Sequence, residues 1–108
     1  MILEYTRYKI DETRRDGFVA DYQKAIESLK ASKHCLSYEL TQCKEDFGLF
    51  ILRLEWDSEE GHLQGFRKSA EFRSFFAHVG PYVKDIEEMR HYEVILVGEK
   101  SRSASSHS

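Results

Sequence analysis

The chain is predicted to be an α+β protein of the ferredoxin-like kind, βαββαβ with a four-stranded antiparallel sheet. Three observations predict it. Stretches of period-two alternation and of 3.6-residue periodicity follow one another in the order β-α-β-β-α-β. The middle two strand-like stretches are separated only by the short polar turn "KED". At 108 residues, the chain has length for one modest core and no second domain.

Each element has a local reason. "ILEYTRYKI" (2–10) carries the β-branched and aromatic content of a strand. In "DETRRDGFVADYQKAIESLKAS", Phe18, Tyr22, Ile26 and Leu29 recur at helical spacing. Acidic residues crowd the front of that stretch, where the helix dipole favours them, and Gly17 falls in the first turn. "HCLSYELTQC" (34–43) alternates Leu36, Tyr38 and Leu40 with polar neighbours, and "FGLFILRLEW" (47–56) completes a hairpin with it.

"DSEE" opens the second helical region, with Asp57 or Ser58 as cap. "GHLQGFRKS" leads to a break near Ser69. The helix that follows carries Phe72, Phe76, Val79, Val83 and Ile86 as its main apolar stripe, with Phe75, His78 and Tyr82 along one flank. Gly80-Pro81 removes a backbone donor and divides this helix. "EMRHYEVILV" (88–97) is the last strand. Residues 1–97 form the domain, and residues 98–108, "GEKSRSASSHS", read as a disordered polar tail.

Composition narrows the function classes. Nineteen acids against sixteen bases leave a net charge of -3, which offers no general attraction to nucleic acid or to an anionic membrane. No apolar run approaches the roughly 20 residues needed to span a bilayer. The charged N-terminal stretch reads as a strand and not a signal peptide, so a cytoplasmic protein is expected. Cys35 and Cys43 lie in one strand with α-carbons about 26 Å apart, too far for a disulfide. No two histidines have the short spacing of a metal site, and no metal is expected.

Two helices cover one face of a four-stranded sheet, yet the strands are apolar on both. Phe50, Leu52, Leu54 and Trp56 share one parity of the third strand, while Leu49 and Ile51 occupy the other. Leu3 and Tyr5 oppose Ile2 and Tyr8 on the first strand, and Val94–Val97 are apolar on both parities. A second copy packed sheet against sheet, a homodimer, is the expected cover.

On these features the stretch "LFILRLEWDSEEGHLQGFRKSAEFRSFF" resembles the antibiotic biosynthesis monooxygenase family of dimeric α+β barrels, through "LEW", "DSEE" and the spacing of Phe66, Ser69 and Phe72. The resemblance spans residues 2 to 96. It implies a dimeric barrel and a monooxygenase that oxidises a phenolic, quinol or polycyclic aromatic substrate without metal or flavin. A haem-degrading branch of the family places Asn, Trp and His where this chain has Thr6, Phe66 and Phe76. That triad is absent, so haem is expected only in a different pose, and no cofactor is expected for the oxygenase. A non-catalytic small-ligand or haem-binding module on the same scaffold is the alternative.

Cofactor-free oxygenation needs a dry aromatic chamber, a proton acceptor and donors for developing oxyanions. His78 is the candidate base, at the rim of the aromatic stripe. Thr6, Tyr8, Trp56, Phe66, Phe75, Phe76, Tyr82 and His91 are the candidate cavity lining, with Thr6 and Tyr8 turned toward the helices by the resemblance. His62, behind "SEEG", reads as solvated, and His34 and His107 as silent.

Overall fold

A computed structural model describes residues 1–100. Strand β1 (Ile2–Lys9) leads through a 3-10 turn (Glu12–Arg14) into helix α1 (Arg15–Ala31). Strands β2 (Cys35–Gln42) and β3 (Leu49–Trp56) form the hairpin. A π-helical turn (Gly61–Phe66), helix α2 (Ala70–Val79) and a second 3-10 segment (Gly80–Asp85) then precede β4 (Ile86–Glu93). The strands lie in the order β2-β3-β1-β4, every neighbouring pair antiparallel, so the ferredoxin-like expectation holds. Among the described residues, no helix is long and apolar enough to cross a membrane.

Alternation along the strands sorts the two faces. Glu4, Thr6 and Tyr8 of β1 and Phe50, Leu52, Leu54 and Trp56 of β3 are buried beneath the helices. From α1, Phe18, Tyr22, Ala25 and Leu29 come down onto them. The Phe18 ring meets Phe50 at 4.8 Å and Tyr8 at 4.9 Å between centroids. Leu3, Tyr5, Ile51 and Tyr92 lie on the opposite parity and are half-buried or exposed, as expected of an apolar face its own chain leaves uncovered. Tyr5 and Tyr92 meet edge to face there, 5.4 Å apart.

Helix ends follow their capping chemistry. Ser69 has extended backbone, and its hydroxyl accepts from the Phe72 N–H at 3.1 Å, starting α2 where the sequence places a break. Pro81 lies in the first turn of the 3-10 segment that ends the α-helical run, as Gly80-Pro81 predicts.

Two expectations are corrected. The last strand does not reach Val97: β4 runs Ile86–Glu93, and Ile95, Leu96 and Val97 lie exposed beyond it. The β1–β4 ladder ends where Glu93 pairs with Ile2, the first residue of β1. The inward face of α2 and its extension is also rotated from the stripe read in the sequence. Phe75, Val79 and Tyr82 are buried, whereas Phe76 and Val83 are each 46% exposed. Apolar residues span a broad arc here, and α1 selects its centre: Phe75 packs on Tyr22 and Tyr82 on Phe18. The tail expectation concerns mainly residues 101–108, which lie outside the described residues.

Candidate functional site

A cavity of about 220 Å³ lies between the sheet and α2. Glu4, Thr6 and Tyr8 set a polar line along its floor, because alternate residues of β1 share one face. Leu52, Leu54 and Trp56 of β3 continue the floor, and Phe66, Phe72, Phe75, Phe76 and Val79 form an apolar roof. The exposed members, Arg67, Phe76, Val83 and Met89, mark the mouth beside the edge strand β4.

One end of the polar line is a buried cluster. The Trp56 indole N–H donates to Glu4 Oε1 at 3.1 Å. His62, 3% exposed, stacks on Trp56 with ring centroids 4.4 Å apart and planes 13° from parallel. Its Nε2 lies 3.5 Å from Glu4 Oε1, and its Nδ1 lies 2.9 Å from Nε2 of His91. A carboxylate beside Nε2 favours the proton on that nitrogen, leaving Nδ1 to accept from His91. Burial raises the Glu4 carboxyl above its ordinary range, against the stabilising Trp56 hydrogen bond and the charges of His91 and Arg67. Burial, helped by positive charge at His91 and Arg67, lowers the His62 imidazole to about 4. His62 is therefore neutral at physiological pH.

The other end is a pair of phenols. The Tyr8 and Tyr22 hydroxyls lie 2.5 Å apart. One hydrogen satisfies that contact, so the second hydroxyl hydrogen is available to a guest in the cavity. Burial pushes Tyr8 up to about 12 and raises Tyr22 as well, so both remain neutral donors.

Six of the residues expected from the sequence, Thr6, Tyr8, Trp56, Phe66, Phe75 and Phe76, line this cavity. Three do not. His78 sits half-buried in the last turn of α2, about 200° around the helix from Phe76, outside the lining. Tyr82 turns into the core, where its hydroxyl donates to Asp21 Oδ2 at 2.6 Å. His91 reaches the cluster through His62 and not the cavity wall.

Glu4, His62 and Arg67 were missed. Glu4 shares the inward parity of Thr6 and Tyr8, and that alternation was a usable signal. His62 reverses its expected solvated position, because residues 61–66 close as a π-helical turn over the Trp56 end of the sheet. The same closure brings together residues that have no metal-site spacing in the sequence: Glu4, His62 and His91 each bring a ligand atom within 4.8 Å of the others. Phe66 and Phe76, by contrast, line the cavity with phenyl rings that offer no ligand atom. Burial pushes the Cys35 thiol up to about 11, which disfavours its thiolate.

Similarity to known proteins agrees with this architecture. A crystal structure from Bordetella bronchiseptica, of a protein carrying the antibiotic biosynthesis monooxygenase name, superposes with a TM-score of 0.73 at 22% identity, covering 88% of this chain and 97% of that one. Rv0793 from Mycobacterium tuberculosis superposes with a TM-score of 0.67 at 17% identity, covering 93% and 98%. The uncharacterised protein YczJ of Bacillus subtilis is 24% identical over 93 residues, 86% of this chain and 98% of YczJ. The family model described as antibiotic biosynthesis monooxygenase matches residues 1–78, most of the domain and both ends of the polar line, so this chain belongs to the antibiotic biosynthesis monooxygenase family.

Proposed function

We propose that the protein is a cofactor-independent monooxygenase acting on a phenol or quinol of one or two rings. The observation that carries this reading is the polar line in an apolar cavity, with a buried proton acceptor at Glu4 beside His62 and a neutral hydroxyl pair at Tyr8 and Tyr22. Family membership supplies the reaction class. Cavity size supplies the substrate limit: about 150 Å³ of apolar space holds a benzene, and drug-sized ligands need roughly 300–1,000 Å³. At about 220 Å³ the chamber suits a small aromatic and is too tight for the larger polycycles the family resemblance allows.

The chemistry balances without a cofactor. Glu4, held between Trp56 and His62, takes the phenolic proton, and the phenolate passes one electron to dioxygen. Phenoxyl radical and superoxide combine to form a carbon–oxygen bond, and reprotonation gives a hydroperoxide. Loss of water then leaves a quinone, so phenol and dioxygen become quinone and water. Tyr8 and Tyr22 supply hydrogen-bond donors toward developing oxyanions, while the aromatic roof keeps water from the radicals. Haem has no part in this reading, since the cavity is small and Phe66 and Phe76 cannot ligate iron.

The reading includes a homodimer joined through the outer sheet face, where Ile51 and Tyr92 are exposed. Oxygen uptake with a panel of one- and two-ring phenols and quinols tests the activity. Turnover by the wild type that falls at least about 100-fold in Glu4→Gln is expected, the usual scale for losing a general base. Absence of uptake on every substrate sinks the oxygenase reading, and saturable binding of the same compounds without uptake favours the non-catalytic ligand module.

A further inference from the structure

We propose that Glu4, His62 and His91 form a binding site for one divalent first-row transition-metal ion of the zinc and cobalt class. Two imidazoles and a carboxylate are a recognised donor set for such ions, with further positions left for water or a ligand. The three side chains come from well-separated parts of the chain, yet their ligand atoms converge within 4.8 Å. His62 Nδ1 and His91 Nε2 are 2.9 Å apart, close to the spacing of two nitrogens bound at right angles to one ion about 2.1 Å from each. Glu4 Oε2 lies 3.9 Å from His91 Nε2 while Oε1 faces His62 Nε2 at 3.5 Å, so an ion on His62 Nδ1 and His91 Nε2 requires the carboxylate to swing toward His91.

The donors sit on rigid supports. Glu4 and His91 are direct cross-strand partners in the β1–β4 ladder, which fixes them on one face. His62 comes from the π-helical turn, a local irregularity often found at functional sites. Around the donors, Trp56 orients Glu4 through its indole N–H and clamps the His62 ring by stacking. Outer hydrogen bonds of this kind orient metal ligands and tune their basicity. Glu4 and His62 are buried whereas His91 is part-exposed, giving an ion a route in from the β4 edge.

An ion held here takes the lone pairs that the proposed proton transfer uses, so the metal-bound form is silent toward cofactor-free oxygenation. That consequence rests on the oxygenase reading; the binding itself does not.

The test is a Co²⁺ titration of the full chain, stripped with chelator, followed by visible d–d absorption without substrate. One equivalent of Co²⁺ should produce saturable bands that Zn²⁺ displaces. His91→Ala should abolish them, Glu4→Gln should weaken and shift them, and Trp56→Phe should weaken binding about 10–100-fold. Circular dichroism and thermal melts of each variant separate ligand loss from unfolding. No saturable absorption in the wild type overturns the site, as does stoichiometric binding that survives both His91→Ala and Glu4→Gln. Oxygen uptake is measured separately on metal-free protein, so failure of the metal site leaves the oxygenase reading standing, and the reverse.

Discussion

The indole of Trp56 donates to the carboxylate of Glu4 across 3.1 Å, joining the last residue of β3 to the floor of β1 inside the protein. A buried carboxylate needs such a donor, and Glu4, 4% exposed, has little water to replace it. Trp56→Phe should therefore destabilise the wild type by more than its lost packing alone. In a cycle with Glu4→Leu, which removes the carboxylate altogether, the coupling should be about 1–2 kcal/mol by urea denaturation. A coupling near zero would show that the indole contributes only through its rings.

The phenol pair predicts an alkaline instability. Unfolded tyrosine ionises near 10, whereas folded Tyr8 is pushed up to about 12 and Tyr22 is also raised. Below pH 10 both folded and unfolded chains hold these protons, and the pair's contribution is intact. Between pH 10 and 12 the unfolded chain releases them first, so stability falls as pH rises and the contribution is lost as the folded value is passed. Tyr8→Phe should flatten this fall in urea midpoints taken from pH 9 to 11.5. An unchanged slope would place the alkaline transition elsewhere.

Phe75 and Phe76 are neighbours in sequence with separate duties. Phe75 is buried against Tyr22, and Phe75→Ala should cost about 3–5 kcal/mol of stability. Phe76 stands half-exposed at the mouth, so Phe76→Ala should lose much less stability yet weaken the affinity of a small phenol several-fold. Trp56, itself in the lining, reports binding by its fluorescence. If Phe76→Ala leaves phenol affinity unchanged, the mouth has been misplaced.

The outer face of the sheet offers a third contrast. Ile51→Asp puts a charge on the half-covered parity of β3 without touching the cavity. Analytical ultracentrifugation should find the wild type as a dimer and this variant shifted toward monomer, with its far-ultraviolet circular dichroism preserved. A wild type that sediments as a monomer at micromolar concentration would remove the dimer from the reading.

Ser69 tests the second helix boundary. Its hydroxyl caps α2 by accepting from Phe72 N–H, and Ser69→Ala should cost about 1 kcal/mol. Ser69→Asp, which keeps an acceptor at the cap, should recover most of it. Equal losses in both variants would mean that the cap is not what fixes this helix start.

The sequence by itself determined the strand and helix order, the shared parity of Thr6 and Tyr8, and the place of Trp56 at the end of β3. All of these follow from periodicity and chain-local chemistry, which survive in any register the fold adopts. It also determined that α2 starts after a break at Ser69 and stops near Pro81, because caps and proline act within one turn. Tertiary structure decided what periodicity cannot carry. It ended β4 at Glu93, since the length of a strand depends on the neighbour that pairs with it. It chose Phe75 over Phe76 as the buried ring, because α1 supplied the surface against which the helix settled. Above all it brought His62 to His91, 29 residues away, and both to Glu4. A π-helical turn and a cross-strand pairing produced that meeting, and neither leaves a spacing in the sequence from which it can be read.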